Sequence, residues 1–168
     1  MMKLLGAVMI LVGCGGVGFS LAAAFRYQEQ SFHQLIRALE HMECELRFQM
    51  SPLPELCYSA SKVCTGCVKN VLRCLGQRLE EQINPNAADC MEEAIKQTSI
   101  PERLRKCLHQ LGVSLGRFDL AGQVQGLQSV KKQAEFELGR LQQNQDVKIR
   151  GYQTLGFCAG AALVVMFL

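Results

Sequence analysis

Residues 29–49, EQSFHQLIRALEHMECELRFQ, carry the pattern that decides the fold class. The large apolar side chains of this stretch recur every three or four residues: Phe32, Leu35, Ile36, Leu39, Met42 and Leu46. Because an α-helix turns once in about 3.6 residues, this spacing places them on one face. The stretch therefore predicts an amphipathic helix that packs against a core.

Five more segments follow with the same helical spacing, and none alternates apolar and polar residues as a strand would. Turn signals separate the segments at Ser51–Glu55, Thr65–Gly66, Asn84–Asn86, Ser99–Glu102 and Gly116–Asp119. Asn86 is predicted to cap the fourth helix. In the sixth helix, Lys131 takes one place in a near-heptad apolar series. The sequence therefore predicts an all-α fold with a six-helix bundle domain.

The residues at two of these turns are predicted to be structural. We expect Ser51 to cap the second helix, with Pro52 and Pro54 in its first turn, where proline is tolerated. Gly116 suits a left-handed C-cap at the end of the fifth helix. Asp119 is placed to accept hydrogen bonds from the first free amides of the sixth helix.

The two ends of the chain are apolar and uncharged from residue 4 to 25 and from residue 151 to 168. As a helix the first run would rise roughly 33 Å, enough for a bilayer core of about 30 Å. The sequence thus predicts an N-terminal transmembrane anchor, residues 1–25, a helical domain, residues 26–150, and a C-terminal transmembrane helix, residues 151–168. Small residues spaced by four predict close packing of these membrane helices, at Gly18, Ala22, Gly156 and Gly160.

The basic residues Arg26, Lys148 and Arg150 flank the apolar runs on the side of the middle domain, which favours a cytoplasmic middle domain. The odd number of cysteines, 9, agrees with a reducing compartment. An alternative stays open at this point. Leu11-Val12-Gly13-Cys14 has the form of a lipobox, so the chain could be a lipoprotein or a membrane-anchored helical binding protein processed at Cys14.

No pattern in the chain predicts catalysis, a cofactor or nucleic-acid binding. Cys64 and Cys67 form a CxxC, which His41 and Cys44 could complete as a zinc site. The cysteines also recur at helical spacings, and this favours small buried hydrophobic residues over metal ligands or a redox pair. The basic and acidic residues of the middle are interleaved, as on a solvated helical surface.

Several stretches together resemble the stage III sporulation protein AB family of endospore-forming bacteria, over essentially the full length. The most specific are Ser51-Pro52-Leu53-Pro54-Glu55 and Leu115-Gly116-Arg117-Phe118-Asp119, the latter followed by Gln123. Tyr152-Gln153-Thr154-Leu155-Gly156 then leads into the terminal apolar run. The cysteines are not part of the family pattern.

This resemblance implies a non-enzymatic scaffold in the channel, or feeding tube, that links the mother cell and the forespore. Its helical domain would be similar to that of the type II secretion system F platform protein. It would sit in the mother-cell membrane that surrounds the forespore and couple a cytoplasmic secretion ATPase to the other channel proteins. A homo-oligomer is compatible with this role. Since binding residues concentrate on loops held by rigid elements, we expect the partner-binding surface at Arg117, Asp119 and Gln123.

Overall fold

The computed structural model describes the backbone of residues 2–49, 51–81, 86–116 and 119–167, and the side chains of residues 23–49, 51–81, 86–116 and 119–143. Within these ranges the chain forms helices and no strand. The helices are α1 (Met2–Phe48), α2 (Leu53–Val63), α3 (Gly66–Glu80), α4 (Ala87–Gln97), α5 (Glu102–Leu115) and α6 (Leu120–Phe167). The predicted all-α fold with six helices is confirmed.

The chain divides into two compact units, a helical bundle of Gln30–Gly139 and a second unit of Met1–Glu29 with Arg140–Leu168. No helix in the part of the chain with described side chains is long and apolar enough to cross a membrane. The predicted membrane segments lie largely outside that part. The domain boundaries at residues 25 and 150, and the packing role of Gly18, Ala22, Gly156 and Gly160, therefore stay predictions.

Helices α1 and α6 run antiparallel along the bundle and are joined by hydrogen bonds between their side chains. Gln128 Nε2 donates to Glu43 Oε1 over 2.7 Å, and Lys131 Nζ donates to Glu40 Oε1 over 2.7 Å. From the first bond to the second, the residue number rises by three on α6 and falls by three on α1, as expected for a single antiparallel register. Each contact also joins residues far apart in the sequence, so the first helix of the bundle is linked directly to the last.

The bundle has two ends, which we call proximal and distal. At the proximal end lie Gln30 and Gly139, where the chain enters and leaves the bundle, and also the α2–α3 and α4–α5 turns. Contacts fix this placement, because the Thr65 amide donates to Gln34 Oε1 over 3.0 Å and Arg103 pairs with Glu137 over 3.7 Å. The distal end holds the last residues of α1, α3 and α5 and the first residues of α2, α4 and α6.

The core lies between the helices and is built from their apolar faces. Its largest fully buried side chains are Phe32, Leu35, Leu39, Met42, Leu56, Leu72, Leu75, Met91, Leu104, Leu108, Leu111 and Leu115. The predicted stripe of the first helix is buried except for Ile36, which is partly exposed. On α6 the core position near Lys131 belongs to Val130, which is fully buried.

The start of α2 differs from the prediction. Pro52 is the N-cap, its carbonyl accepts the Leu56 amide over 3.0 Å, and no side chain caps this helix. Ser51 therefore lies one residue too early to cap, and the prediction for it was wrong. Pro54 occupies the first turn as expected. Asn86 caps α4 as predicted, since its Oδ1 accepts the Ala88 amide over 3.1 Å.

Candidate functional site

The α5–α6 turn at the distal end contains the residues predicted to bind a partner. The Gly122 amide donates to Asp119 Oδ2 over 2.6 Å, and the Gln123 amide donates to the Asp119 carbonyl over 3.1 Å. An exposed carboxylate at this position also faces the partly positive N-terminus of α6. The predicted capping role of Asp119 is thus confirmed.

Two other residues of the turn behave differently from the prediction. Gly116 has φ −74° and ψ 0°, which is right-handed, so the expected left-handed cap was wrong. The Gln123 side chain donates through Nε2 to the Leu115 carbonyl over 3.4 Å. Gln123 therefore satisfies a carbonyl that the end of α5 would leave unpaired. The Arg117 side chain lies outside the described residues, and the partner-binding role of all three residues stays a prediction.

Removing the cap should weaken the bundle by a small amount. Asp119→Ala is expected to lower the free energy of unfolding by about 1 kcal/mol, and at most about 2 kcal/mol, while Asp119→Asn keeps an oxygen acceptor and most of the stability. Gln123→Ala should cost about 0.5–1.5 kcal/mol through its lost hydrogen bond. Urea denaturation followed by circular dichroism measures all three. Equal stability of the alanine and asparagine variants at position 119 would refute the capping role.

The CxxC pair sits beside the first turns of α1 in the bundle. The Cys64 thiol donates to the Gln34 carbonyl over 3.4 Å, and the Cys67 thiol donates to Ser31 Oγ over 3.5 Å. Both cysteines are buried. These contacts hold the α2–α3 turn against α1, a structural use of the two thiols.

The other residues of the considered zinc set lie elsewhere. His41 is roughly 10 Å along α1 from Gln34, the residue that Cys64 contacts. Its Nε2 lies 2.6 Å from Ser59 Oγ, and Cys44 is exposed. Ligands of one zinc ion each lie about 2.0–2.3 Å from it, so these groups are too far apart to share an ion. Among the described residues no three His, Cys, Asp or Glu side chains are grouped as metal ligands would be.

Burial also lowers the reactivity of several thiols. It raises the pKa of Cys57 to about 12, and the pKa of Cys64 and of Cys107 to about 11. For Cys64 the nearby charge of Arg37 offsets part of this increase. Because the thiolate is the reactive form, these cysteines are nearly inert at neutral pH.

Alkylation of the native protein should therefore discriminate between cysteines. At pH 8, the exposed Cys44 is expected to react with iodoacetamide at least about a hundredfold faster than Cys57, since burial raises the pKa of the Cys57 thiol to about 12 and shields it from the reagent. Peptide mass spectrometry gives each rate. In urea the two rates should converge. A Cys57 that reacts as fast as Cys44 in the native protein would contradict the burial of its thiol.

A network of His41, Glu45 and Ser59 joins α1 to α2. Ser59 Oγ donates to Glu45 Oε1 over 2.5 Å, and His41 Nε2 contacts both Ser59 Oγ and, at 3.4 Å, Glu45 Oε1. In a nucleophilic triad the histidine must accept the serine proton. Here Ser59 donates its proton to the Glu45 carboxylate, so the arrangement differs from that of a triad. Sequence reasoning missed this network, although the i, i+4 spacing of His41 and Glu45 was visible.

Comparisons with known proteins agree with the architecture. The family described as "Stage III sporulation protein AB" matches residues 3–168. The chain is 25% identical over 172 residues to the stage III sporulation protein AB of Bacillus subtilis (strain 168), and the similarity spans 100% of both chains. A solved structure of a stage III sporulation protein AB superposes with a TM-score of 0.64 and 20% identity, over 72% of this chain and 98% of the other.

Proposed function

The chain belongs to the stage III sporulation protein AB family, whose name places it in spore formation, and from this premise we propose a scaffold role. We propose that it is a non-enzymatic platform component of the channel between mother cell and forespore. In this role it is anchored in the mother-cell membrane around the forespore, and it couples a cytoplasmic secretion ATPase to the membrane complex.

The continuity of the two long helices is the observation that carries this proposal. The helical backbone of α1 extends without a break over Met2–Phe48, and that of α6 over Leu120–Phe167. Each helix therefore runs from one of the apolar terminal runs into the bundle. The bundle is therefore joined to both apolar runs by unbroken helical backbone. Such a connection suits a scaffold that links a motor to a membrane.

A further observation supports the proposal. The distal end exposes large apolar side chains, with Phe48, Val113 and Leu120 exposed by 82%, 50% and 40%. Apolar side chains exposed beside polar ones are typical of a protein interface. They lie at the same end as the turn that carries Asp119, where we propose that the ATPase docks.

The test of this role is co-purification from sporulating cells. Tagged full-length protein should retain the secretion ATPase and the other channel proteins of its host, and Arg117→Glu should reduce the ATPase yield without lowering the melting temperature. The mass of the purified chain distinguishes the alternative, because a lipoprotein processed at Cys14 would lack residues 1–13. If the wild-type protein retains no ATPase, or if Arg117→Glu leaves the ATPase yield unchanged, the proposal that the ATPase docks at this turn is wrong.

The helical connection can be tested separately at Gln28, which lies in α1 just before the bundle. Gln28→Pro removes a backbone hydrogen bond and clashes with the preceding turn, at a cost of about 3 kcal/mol within a helix. We expect spore yield to fall at least tenfold while the bundle melts as before, since position 28 lies outside Gln30–Gly139. Gln28→Ala is the matched control. Normal sporulation with the proline variant would show that continuity of α1 is not needed.

A further inference from the structure

The two hairpins in the middle of the bundle, α2–α3 and α4–α5, share one sequence motif. Residues 72–79 read LRCLGQRL and residues 108–115 read LHQLGVSL, so both have the form Leu-x-x-Leu-Gly-x-x-Leu. In each hairpin the motif lies in the second half of the second helix. The helix lengths also match, since α2 and α4 each have 11 residues, and α3 and α5 have 15 and 14. A shared motif at the same place in helices of similar length indicates a repeated unit.

The buried positions of the two hairpins coincide when each helix is counted from its first residue. In α2 and α4 the fourth, fifth, eighth and ninth residues are buried. In α3 and α5 the third, sixth, seventh, tenth and eleventh residues are buried. Helical periodicity sets the spacing of buried residues within one helix, but it does not set the residue at which the pattern begins. The common starting point therefore supports the repeat independently of the motif.

The glycine of the motif makes the same contact in both hairpins. Gly76 and Gly112 are each the eleventh residue of their helix, and each lies against the second residue of the helix before it. A Cβ added to Gly76 would be 3.3 Å from the Pro54 carbonyl oxygen. A Cβ added to Gly112 would be 3.2 Å from the Ala88 Cα. In each hairpin, glycine thus lets the backbones of the two helices approach closely.

The two hairpins differ in the long helix to which they bond. In the first hairpin, the Thr65 amide donates to Gln34 Oε1 of α1 over 3.0 Å. In the second hairpin, Arg103 pairs with Glu137 of α6 over 3.7 Å. The copies therefore share their internal packing and differ in their surroundings, as expected for one unit used twice in a bundle.

We infer that α2–α3 and α4–α5 are two copies of one helical hairpin, and that each copy opens as a separate cooperative unit. The glycine contact of each copy lies inside its own hairpin, so the two helices of a copy stabilise each other. Units that open together in folded proteins often coincide with supersecondary motifs, and repeated motifs keep much of their stability within each repeat. Opening of one copy therefore leaves the packing inside the other copy in place.

Hydrogen exchange of the full-length protein in mild detergent, followed by peptide mass spectrometry, tests this inference. Gly76→Val places a side chain against α2, and Gly112→Val places one against α4. Overpacking of a well-packed site usually shifts an opening equilibrium about fivefold or more. We expect Gly76→Val to speed exchange by at least about fivefold in peptides from α2 and α3, with no change in α4 and α5. Gly112→Val should do the reverse.

Gly139→Val is the matched control, because a Cβ added at this helical glycine would have nothing within 4 Å. It should speed exchange in neither hairpin. The wild-type protein gives a second measurement that needs no substitution. In urea below the unfolding transition, the amides of α2 and α3 should converge on one exchange isotherm, and those of α4 and α5 on another.

Faster exchange by the same factor in all four helices, for either variant of a motif glycine, would show that the bundle opens only as a whole and would overturn the inference. Faster exchange in α3 without α2, or in α5 without α4, would also overturn it, because a hairpin would then not be one unit. Circular dichroism checks that each variant folds. If one does not, the wild-type isotherms decide, and a single isotherm for all four helices contradicts separate opening.

Discussion

Replacing Gly112 by leucine is expected to unfold the bundle or leave it only marginally stable. Gly112 lies on α5 close against α4, and a Cβ added there would be 2.6 Å from Met91 Cβ and 3.2 Å from the Ala88 backbone. Overpacking usually costs about 1–3 kcal/mol, and a leucine whose Cβ already collides should exceed that range. A domain has only about 5–15 kcal/mol of stability. Urea denaturation followed by circular dichroism gives the loss.

Gly139 is the matched control for this substitution. It is also a helical glycine, but a Cβ added there would have nothing within 4 Å. Gly139→Leu should therefore be tolerated, and Gly139→Ala should stabilise α6 by up to about 1 kcal/mol through helix propensity. Equal losses at positions 112 and 139 would mean that general glycine effects, and not the close approach of α4 and α5, determine the result.

The features that could be predicted from the sequence are those that depend on neighbours along the chain. The apolar spacing of residues 29–49 gave the correct buried face because helical periodicity is a local property. The caps at Asn86 and Asp119 were also correct, since each accepts an amide two or three residues later. The prediction that Ser51 caps α2 was wrong for an equally local reason. Pro52 supplies the first helical carbonyl, so α2 begins one residue later than the serine cap requires.

The features that sequence reasoning missed join residues from different helices. The Ser59 network needs α2 packed on α1, and the bond from Gln123 to the Leu115 carbonyl needs a particular α5–α6 turn. On α6, a strict heptad places Lys131 in the apolar series, whereas the packed helix buries Val130. Successive residues of a helix point about 100° apart, so with Val130 in the core Lys131 lies toward the edge, where it reaches Glu40.

Phe32→Ala is expected to produce the second large loss of stability. The Phe32 side chain is 0% exposed and lies on α1, the helix to which α2 and α6 both bond. Truncating a buried phenylalanine removes its transfer free energy and leaves a cavity, at a cost of about 3–5 kcal/mol. The urea midpoint should fall accordingly, and the slope of the transition should stay nearly constant if the unfolded state is unchanged.

Phe136→Ala provides the comparison, because this side chain is of the same size but 66% exposed on α6. Its loss should cost less than about 1 kcal/mol, since little apolar area leaves water at this position when the chain folds. The alanine variants at positions 32 and 136 also distinguish an effect on stability from an effect on partner binding. A variant at position 136 that folds normally but loses co-purifying proteins would extend the interaction surface along α6. A loss at position 136 as large as at position 32 would instead mean that Phe136 is buried against another part of the protein.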